Sequence, residues 1–296
     1  MITTDSFPTP DLSLRTDDPV QLQRVRAFGG EQAAAAEAAR KRLADGFDVT
    51  DLRAVHADLI RWRHDLALRA PGRIGQGLAL DASRFVTSLE DGGPNYDRLG
   101  YLGRLRHGAT WDPETQTFRG GNETPASRIM LRYGRAVHDR FSLEGNDGDV
   151  LVNAVTLPDG TVREGNRLVR GAEAAHISAA LVARLVGRGR DVSQIEIGGD
   201  PCYAVSADDS VRATLFSAAL TLLVAERSLA AWQAARYLLY QSPQTKKGSD
   251  AVTRVFLVVV GSVLLGQPPI LDQDVDLRCA VLGQRAATVL PGDPPE

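Results

Sequence analysis

Hydrophobic positions recur every three or four residues along most of this chain, the spacing of helices that bury one face. The first such stretch covers residues 20–44, is rich in alanine and ends at Gly46. Thr50 caps a second, TDLRAVHADLIRWRHDLALRA, in which Leu52, Val55, Leu59, Trp62 and Leu66 share a face and Pro71-Gly72 stops the run. Residues 72–127 lose this regularity. Gly75, Gly77, the Gly92-Gly93-Pro94 turn, Gly100, Gly103, Gly108 and Gly120-Gly121 cut them into pieces, with short helices predicted at 79–89 and 96–106. A firmer helix spans 125–141, with Pro125 in its first turn. Long glycine-rich loops inside a compact domain are more often functional than decorative.

At Asp149 the period changes. VLVNAVTL, PDG and TVREGNRLVRG read as a β-hairpin. Ile195 and Ile197 alternate with Glu196 in DVSQIEIGGDPCYAVS and predict a further strand, with a helix over 172–187 in between. The helical pattern resumes at Ser206, which with Asp209 has the spacing of a capping start, and runs to Tyr240. At 1.5 Å per residue that span is about 50 Å, so a break is expected at 226–228. Another strongly apolar helix covers 249–265 and is stopped by Gly266 and Pro268-Pro269; Asp272 or Asp274 then opens a last one to about 288. The fold class that follows is mainly α. It is a single helical domain over residues 21–289 with a small antiparallel hairpin or sheet region around residues 149–205. An irregular arm, 1–20, precedes it and a disordered tail, 290–296, follows.

Composition narrows the classes. Apolar residues are 43% of the chain and charged residues 24%, ordinary values for a folded domain. A net charge of −3 argues against a nucleic-acid partner, which wants a basic face. The apolar run 255–265 is far shorter than the roughly 20 residues a membrane span needs, so no membrane partner is expected. The opening MITTDSFPTPDLSLRTDDP has no basic start followed by an apolar stretch, and a cytoplasmic location is the expectation. Abundant Arg, Ala, Gly and Asp suggest a high-GC bacterial gene. Cys202 and Cys279 belong to no CxxC pair, which excludes zinc ribbons and thioredoxin-type motifs, and Cys202 reads as a small buried hydrophobe.

Of 34 basic residues only three are lysines, and two of these, Lys246 and Lys247, are adjacent in QSPQTKKGSDAVTR. They precede Gly248 and a helix start at Ser249. A helix N-terminus offers unpaired N–H groups and positive dipole, so Lys246, Lys247, Ser249 and Arg254 form the leading candidate for binding a phosphate, sulfate or carboxylate. The competing reading is a solvated loop in which Ser249 or Asp250 only caps the helix. The segment is not a Walker A loop, because GxxxxGK[ST] is missing.

Other constellations are weaker. His56 and His64 lie about 12 Å apart along their helix, too far to chelate one metal. Glu173 and His176 have ExxH spacing but no second copy, which disfavours a dimetal bundle and leaves a general base with its orienting partner. Asp200, in IEIGGDPCY, follows a predicted strand end and is a further acid/base candidate. GGPNYDRLGY, with Tyr96, Asp97 and Arg98, and HDRFSLEGNDGD, with His138, are the remaining polar clusters. No GxSxG elbow or GxGxxG turn behind a strand is present, and no motif specifies a metal or a cofactor.

The function expected is an enzyme of bacterial small-molecule or secondary metabolism, a transferase or lyase acting on a small anionic substrate. Lys246, Lys247, Ser249 and Arg254 would hold the anion, and Glu173, His176 or Asp200 would move the proton. This requires the middle of the chain to face the TKKGSD turn. The alternatives are a noncatalytic helical protein that assembles with itself or with a protein partner, and a toxin or effector enzyme.

Overall fold

The computed structural model describes residues 1–16, 18–69 and 81–293. Two helices come first, α1 (Pro19–Leu43), begun by the Asp18 side chain accepting from Val20 N–H, and α2 (Val49–Arg69). The stop expected at Pro71-Gly72 and the front of the 79–89 helix lie outside the described residues. A 3-10 turn at Ala82–Phe85 and the four-residue α3 (Leu89–Gly92) lead into β1 (Tyr96–Leu99). The small ribbon β2 (Thr110–Asp112) and β3 (Thr117–Arg119) precedes α4 (Pro125–Leu143). Then come the hairpin β4 (Val150–Thr156) and β5 (Val162–Val169), α5 (Gly171–Gly187) and β6 (Cys202–Val205). The remainder is helical: α6 (Asp209–Ala225), α7 (Leu229–Gln241), α8 (Ser249–Leu264), α9 (Val275–Val281) and α10 (Gln284–Thr288). The chain is thus mainly α with a small antiparallel sheet.

α8 explains the larger core. Beyond its first turns it is apolar all round except for Ser262, and a helix stretch of that kind is stable only when enclosed. Val255 to Val260 are all fully buried, packed by α1, α2 and α7. The alanines of α1, among them Ala33, Ala36 and Ala39, bring that helix close to α8. The expected break after α6 is present: Glu226 closes α6, and Ser228 caps α7 by accepting from Ala231 N–H. Among the described residues no helix is long and apolar enough to cross a membrane.

The second layer is the sheet, in the order β1-β6-β5-β4, all antiparallel. Its inner face, with Leu99, Leu151, Leu168, Cys202 and Ala204, packs on Ile129, Met130, Val137 and Phe141 of α4. Its outer face meets α5 through Val169, Tyr203, Val205 and Ala174.

Several expectations shift. The helix predicted at 96–106 is strand β1 followed by a 3-10 turn at Gly103–Leu105. Leu99, Leu102 and Leu105 imitate a helical face by their spacing, but Gly100, at φ 85°, breaks the run between them. The strand expected at Ile195–Ile197 lies later, at β6. Glu196 is instead drawn inward, its carboxylate accepting from the N–H groups of Gly103, Arg104 and Phe118, while Arg98 donates to the carbonyls of Glu196 and Gly198. Ser206 does not open α6; its Oγ accepts from Asn95 N–H at 3.0 Å, and the helix begins at Asp209. The last helix is two, parted at Leu282 and Gly283. Residues 290–293 are held rather than loose: Leu290 is buried, and Asp293 pairs with the buried Arg236 and accepts from Gln233 Nε2 at 2.9 Å.

Candidate active site

The TKKGSD loop joins α7 to α8 and is fastened along the strip just before α3. Thr245 forms an antiparallel bridge with Ser88, Lys246 N–H donates to Thr87 O at 3.0 Å, and Leu89 N–H donates to Gln244 O at 3.3 Å. Gly248 then turns the chain into α8 with φ 82°, a conformation that favours glycine. A Cβ there would also meet Phe85 Cδ1 at 2.6 Å.

The four residues expected to share an anion go to different places. Ser249 Oγ donates to Thr245 O at 3.0 Å and lies 3.1 Å from Thr245 Oγ1, so its hydroxyl closes the loop on itself. Lys247 sits over the Phe85 ring, 5.6 Å from its centre. Arg254 is buried between α8 and α9. It donates from Nε to Asp250 at 2.9 Å, from Nη1 to Asp272 O at 2.9 Å and from Nη2 to Gln273 O at 2.9 Å, with Asp276 at 3.4 Å. Burial alone would lower its pKa, but Asp250, Tyr240 and Asp276 more than offset that and raise it. A guanidinium so fully occupied ties the two helices together.

Lys246 turns the opposite way. Its stem crosses Gly92, and its Nζ donates to the carbonyls of Gly93 and Pro94, both at 2.8 Å. The ammonium is half-buried and its pKa is pushed down to about 8, first by lost solvation, then by the positive charges of Arg84 and Arg184. Asp97 on β1 acts in the other direction. Its own carboxyl is pushed up by desolvation, against the pull of Lys246. Yet Asp97 remains exposed to solvent. Of the cations that act on Lys246, Arg84 lies in the turn before α3, Arg184 in the last turn of α5 and Arg212 in α6. Arg84 and Arg184 are exposed; Arg212 is buried, donating to Ala207 O and Pro243 O at 3.1 Å each and pairing with Asp209.

The acid/base candidates of the middle segment are not among the groups that act on Lys246. Glu173 and His176 are exposed near the start of α5, about 16 and 12 Å along the helix from Arg184. Asp200, at φ 52°, lies beyond the Cys202 end of β6 and faces His138 Nε2 at 3.7 Å, whereas Asp97 pairs with Ala204 near the other end. The carboxyl that acts on Lys246 is Asp97, which was not among them. The signal for it was the polar cluster after the Gly92-Gly93-Pro94 turn, but nothing in the spacing connects that cluster to Lys246. Cys202 is buried, its thiol pushed up to about 12 by burial with Asp200 adding to the effect.

The chain matches no protein-family model and no curated protein. The site therefore speaks through its own chemistry. Behind the loop is a cavity of about 10 Å³, the room of one water, lined by His56, Phe216, Ser242, Thr245, Ser249 and Thr253. A broader, open groove of about 650 Å³ runs between α4, β4 and α10, past Arg140, Leu143, Thr156 and Gln284. Two of its polar groups are engaged in the fold: Arg140 donates to Val281 O at 2.8 Å, and Gln284 exchanges two hydrogen bonds with the Thr156 backbone. Among the described residues no three His, Cys, Asp or Glu side chains gather as a metal would require.

Proposed function

We propose that this chain is an enzyme acting on a small anionic substrate, of transferase or lyase type, with Lys246 and Asp97 at its reacting centre. One observation carries the reading. Lys246 and Asp97 act on one another's charge, their environments move their pKa values toward each other, and the exposed Arg84 and Arg184 add positive charge around Lys246. Perturbed titrating groups acting on one another are the usual equipment of acid/base chemistry at neutral pH. Arg84 and Arg184 would draw negative charge toward Lys246, and the anionic substrate class rests on them. Lys247, Ser249 and Arg254 drop out of the anion site, and Glu173, His176 and Asp200 out of the proton-moving role. The setting we propose is the cytoplasm of a bacterium and its biosynthetic metabolism.

The test is thermal stability against a panel of phosphate, sulfate, nucleotides and phosphorylated amino acids, comparing wild type with Lys246→Ala. A ligand at about 100 times its Kd adds roughly 2.7 kcal/mol. An upward shift confined to wild type supports the reading. No shift with any anion, or equal shifts in both proteins, removes it.

A second reading, a noncatalytic protein that assembles through a helical face, is favoured by α5. Of its seventeen residues only Ala174 and Ser178 are buried, and Val186 is 55% exposed. A protein that sediments as a monomer at all concentrations, unchanged by Val186→Arg, would remove that reading.

A further inference from the structure

We propose that the free edge of β4 is a docking site for an extended peptide segment of another protein, apolar and carrying a carboxylate, which joins the sheet as a further strand. This goes beyond the function proposed above and does not rest on it.

The direction of the backbone supports it first. β4 is one edge of the sheet, with β5 on its other side. Successive residues of an antiparallel strand turn their N–H and C=O groups alternately to the two sides. Just before β4, Asp149 O accepts from Arg170 N–H at 2.9 Å; just after it, Leu157 N–H donates to Thr161 O at 2.8 Å. Leu151, Asn153 and Val155 between them therefore turn toward β5, and Val150, Val152, Ala154 and Thr156 turn outward. The two ends of that outward row are already met. Asn146 Nδ2 donates to Val150 O at 2.9 Å. The Gln284 amide accepts from Thr156 N–H at 2.7 Å and donates to Thr156 O at 2.9 Å. An exchange of both bonds with one residue is what the facing residue of an antiparallel strand makes. Gln284 thus occupies one position of an added strand. Val152 and Ala154 lie between these anchors, and among the described residues no strand pairs with them from that side.

Space supports it second. Ala154 and Thr156 line one side of the open groove of about 650 Å³, and Leu143 and Leu282 stand in its other walls. An added strand would run about 4.8 Å from β4. Its residue opposite Asn153 would point to the α4 side of the sheet, where Asn153 itself bonds Arg140 and Ala280 O. That side chain meets Leu143, a large apolar residue left 85% exposed. Sheet edges are commonly guarded by charge or proline. The opposite edge, β1, carries Asp97 and Arg98, whereas β4, VLVNAVT, carries neither charge nor proline.

Charge and shape select the occupant. Arg140 and Glu144 of the groove pair with each other. Arg285 is exposed and, among the described residues, makes no hydrogen bond or ion pair, so it gives the groove its net positive charge. A carboxylate on the bound segment can meet its guanidinium through two hydrogen bonds. Backbone pairing supplies affinity in such strand addition, and the alternate side chains supply selectivity. A second copy fits less well. Antiparallel pairing of β4 with its own copy would bring a second α4 and α10 to the same side of the sheet, against the first pair.

The experiment selects a random peptide library displayed on phage against wild type, with counter-selection on Ala154→Pro. Proline deletes an N–H that points outward and leaves the bonds to β5, a change that edge strands tolerate. Expected are enriched peptides that alternate β-branched or aromatic residues and carry Asp or Glu. A synthetic peptide of the enriched sequence should bind Ala154→Pro about tenfold more weakly than wild type. It should also slow amide hydrogen exchange at Val152 and Ala154, and Arg285→Glu should turn the selection toward basic peptides. If the proline variant fails to fold, counter-selection on Arg285→Glu and the exchange measurement on wild type decide. No enrichment over the variant, or peptides that leave exchange at Val152 and Ala154 unchanged, overturns the proposal. A wild type that sediments as a dimer, with both amides protected in the absence of peptide, puts a second copy on the edge and overturns it as well.

Discussion

Gly92 and Lys246 are fitted to each other across 154 positions of sequence: a Cβ built on Gly92 would lie 2.5 Å from Lys246 Cδ and 2.7 Å from its Cγ. No side chain can stand at 92 while the lysine stem stays in place. Gly92→Ala is therefore expected to push the stem aside and break the bonds from Nζ to Gly93 and Pro94. Alkyl carbons of a lysine move more readily than backbone, so the stability cost should fall at the low end of overpacking, about 1 kcal/mol. The loss should appear in function: anion-induced stabilisation reduced or gone in a protein of nearly normal melting temperature. A variant that keeps the full anion response would separate Lys246 from the site.

Arg254 makes the opposite prediction. It is enclosed and pairs with Asp250 and Asp276. Removing one partner of a buried pair leaves charge uncompensated, so Arg254→Ala should cost about 3–5 kcal/mol in urea denaturation. Arg254→Lys should recover only part of this, because an ammonium cannot span the carbonyls of Asp272 and Gln273 as the guanidinium fork does. The response to phosphate should persist in the lysine variant at temperatures where it is folded. Its loss there would return Arg254 to the anion site.

The contrast between these two residues shows what was legible in the sequence. Local pattern carried the helices: the apolar 249–265 run, the break at 226–228 and the Pro125 start all concern neighbours in sequence. It also carried the loop, since two lysines beside a glycine stand out in an arginine-rich chain. It could not say that Lys246 turns toward Gly93 while Arg254 turns toward Asp272, because each direction is set by distant packing. Asp97 was hidden for the same reason. It acts on Lys246 because the Ser88–Thr245 bridge and the bonds of Lys246 to Gly93 and Pro94 tie the loop beside the start of β1, some 150 residues earlier in the chain. Glu196 misled in the reverse sense: its alternation with Ile195 and Ile197 imitates a strand, while three backbone N–H groups have claimed its carboxylate.

His56 gives the fold a dependence on pH. It is buried, edge-on to the rings of Phe216 at 4.8 Å and Phe256 at 5.4 Å. Burial pushes its pKa down to about 4 from an ordinary 6.5. The unfolded chain therefore binds a proton that the folded chain refuses between those values. The stabilisation is fully present above pH 6.5 and is lost as pH falls toward 4, by about 3 kcal/mol from this group. His56→Phe should preserve the ring contacts and flatten that part of the curve. Urea denaturation of both proteins between pH 7.5 and 4.5 checks it; parallel curves would show that His56 carries no such linkage.

Asp97 should trade stability for function. Desolvation raises its pKa in the folded chain, so the folded state holds a proton that the unfolded state has already released. Its contribution to stability is complete below the ordinary carboxylate range and declines as pH rises through the raised value. Asp97→Asn removes the ionising group and with it that decline. The variant should gain in melting temperature relative to wild type as pH rises from 4 to 8, and the two should converge at the acid end. Catalytic sites that keep a destabilised group commonly behave this way. The same change removes a negative charge that supports the Lys246 ammonium, so the Lys246 pKa should fall further below about 8, which an NMR titration of its side chain checks. A variant that gains nothing in stability and leaves the Lys246 titration unmoved would show that the two groups do not act on one another.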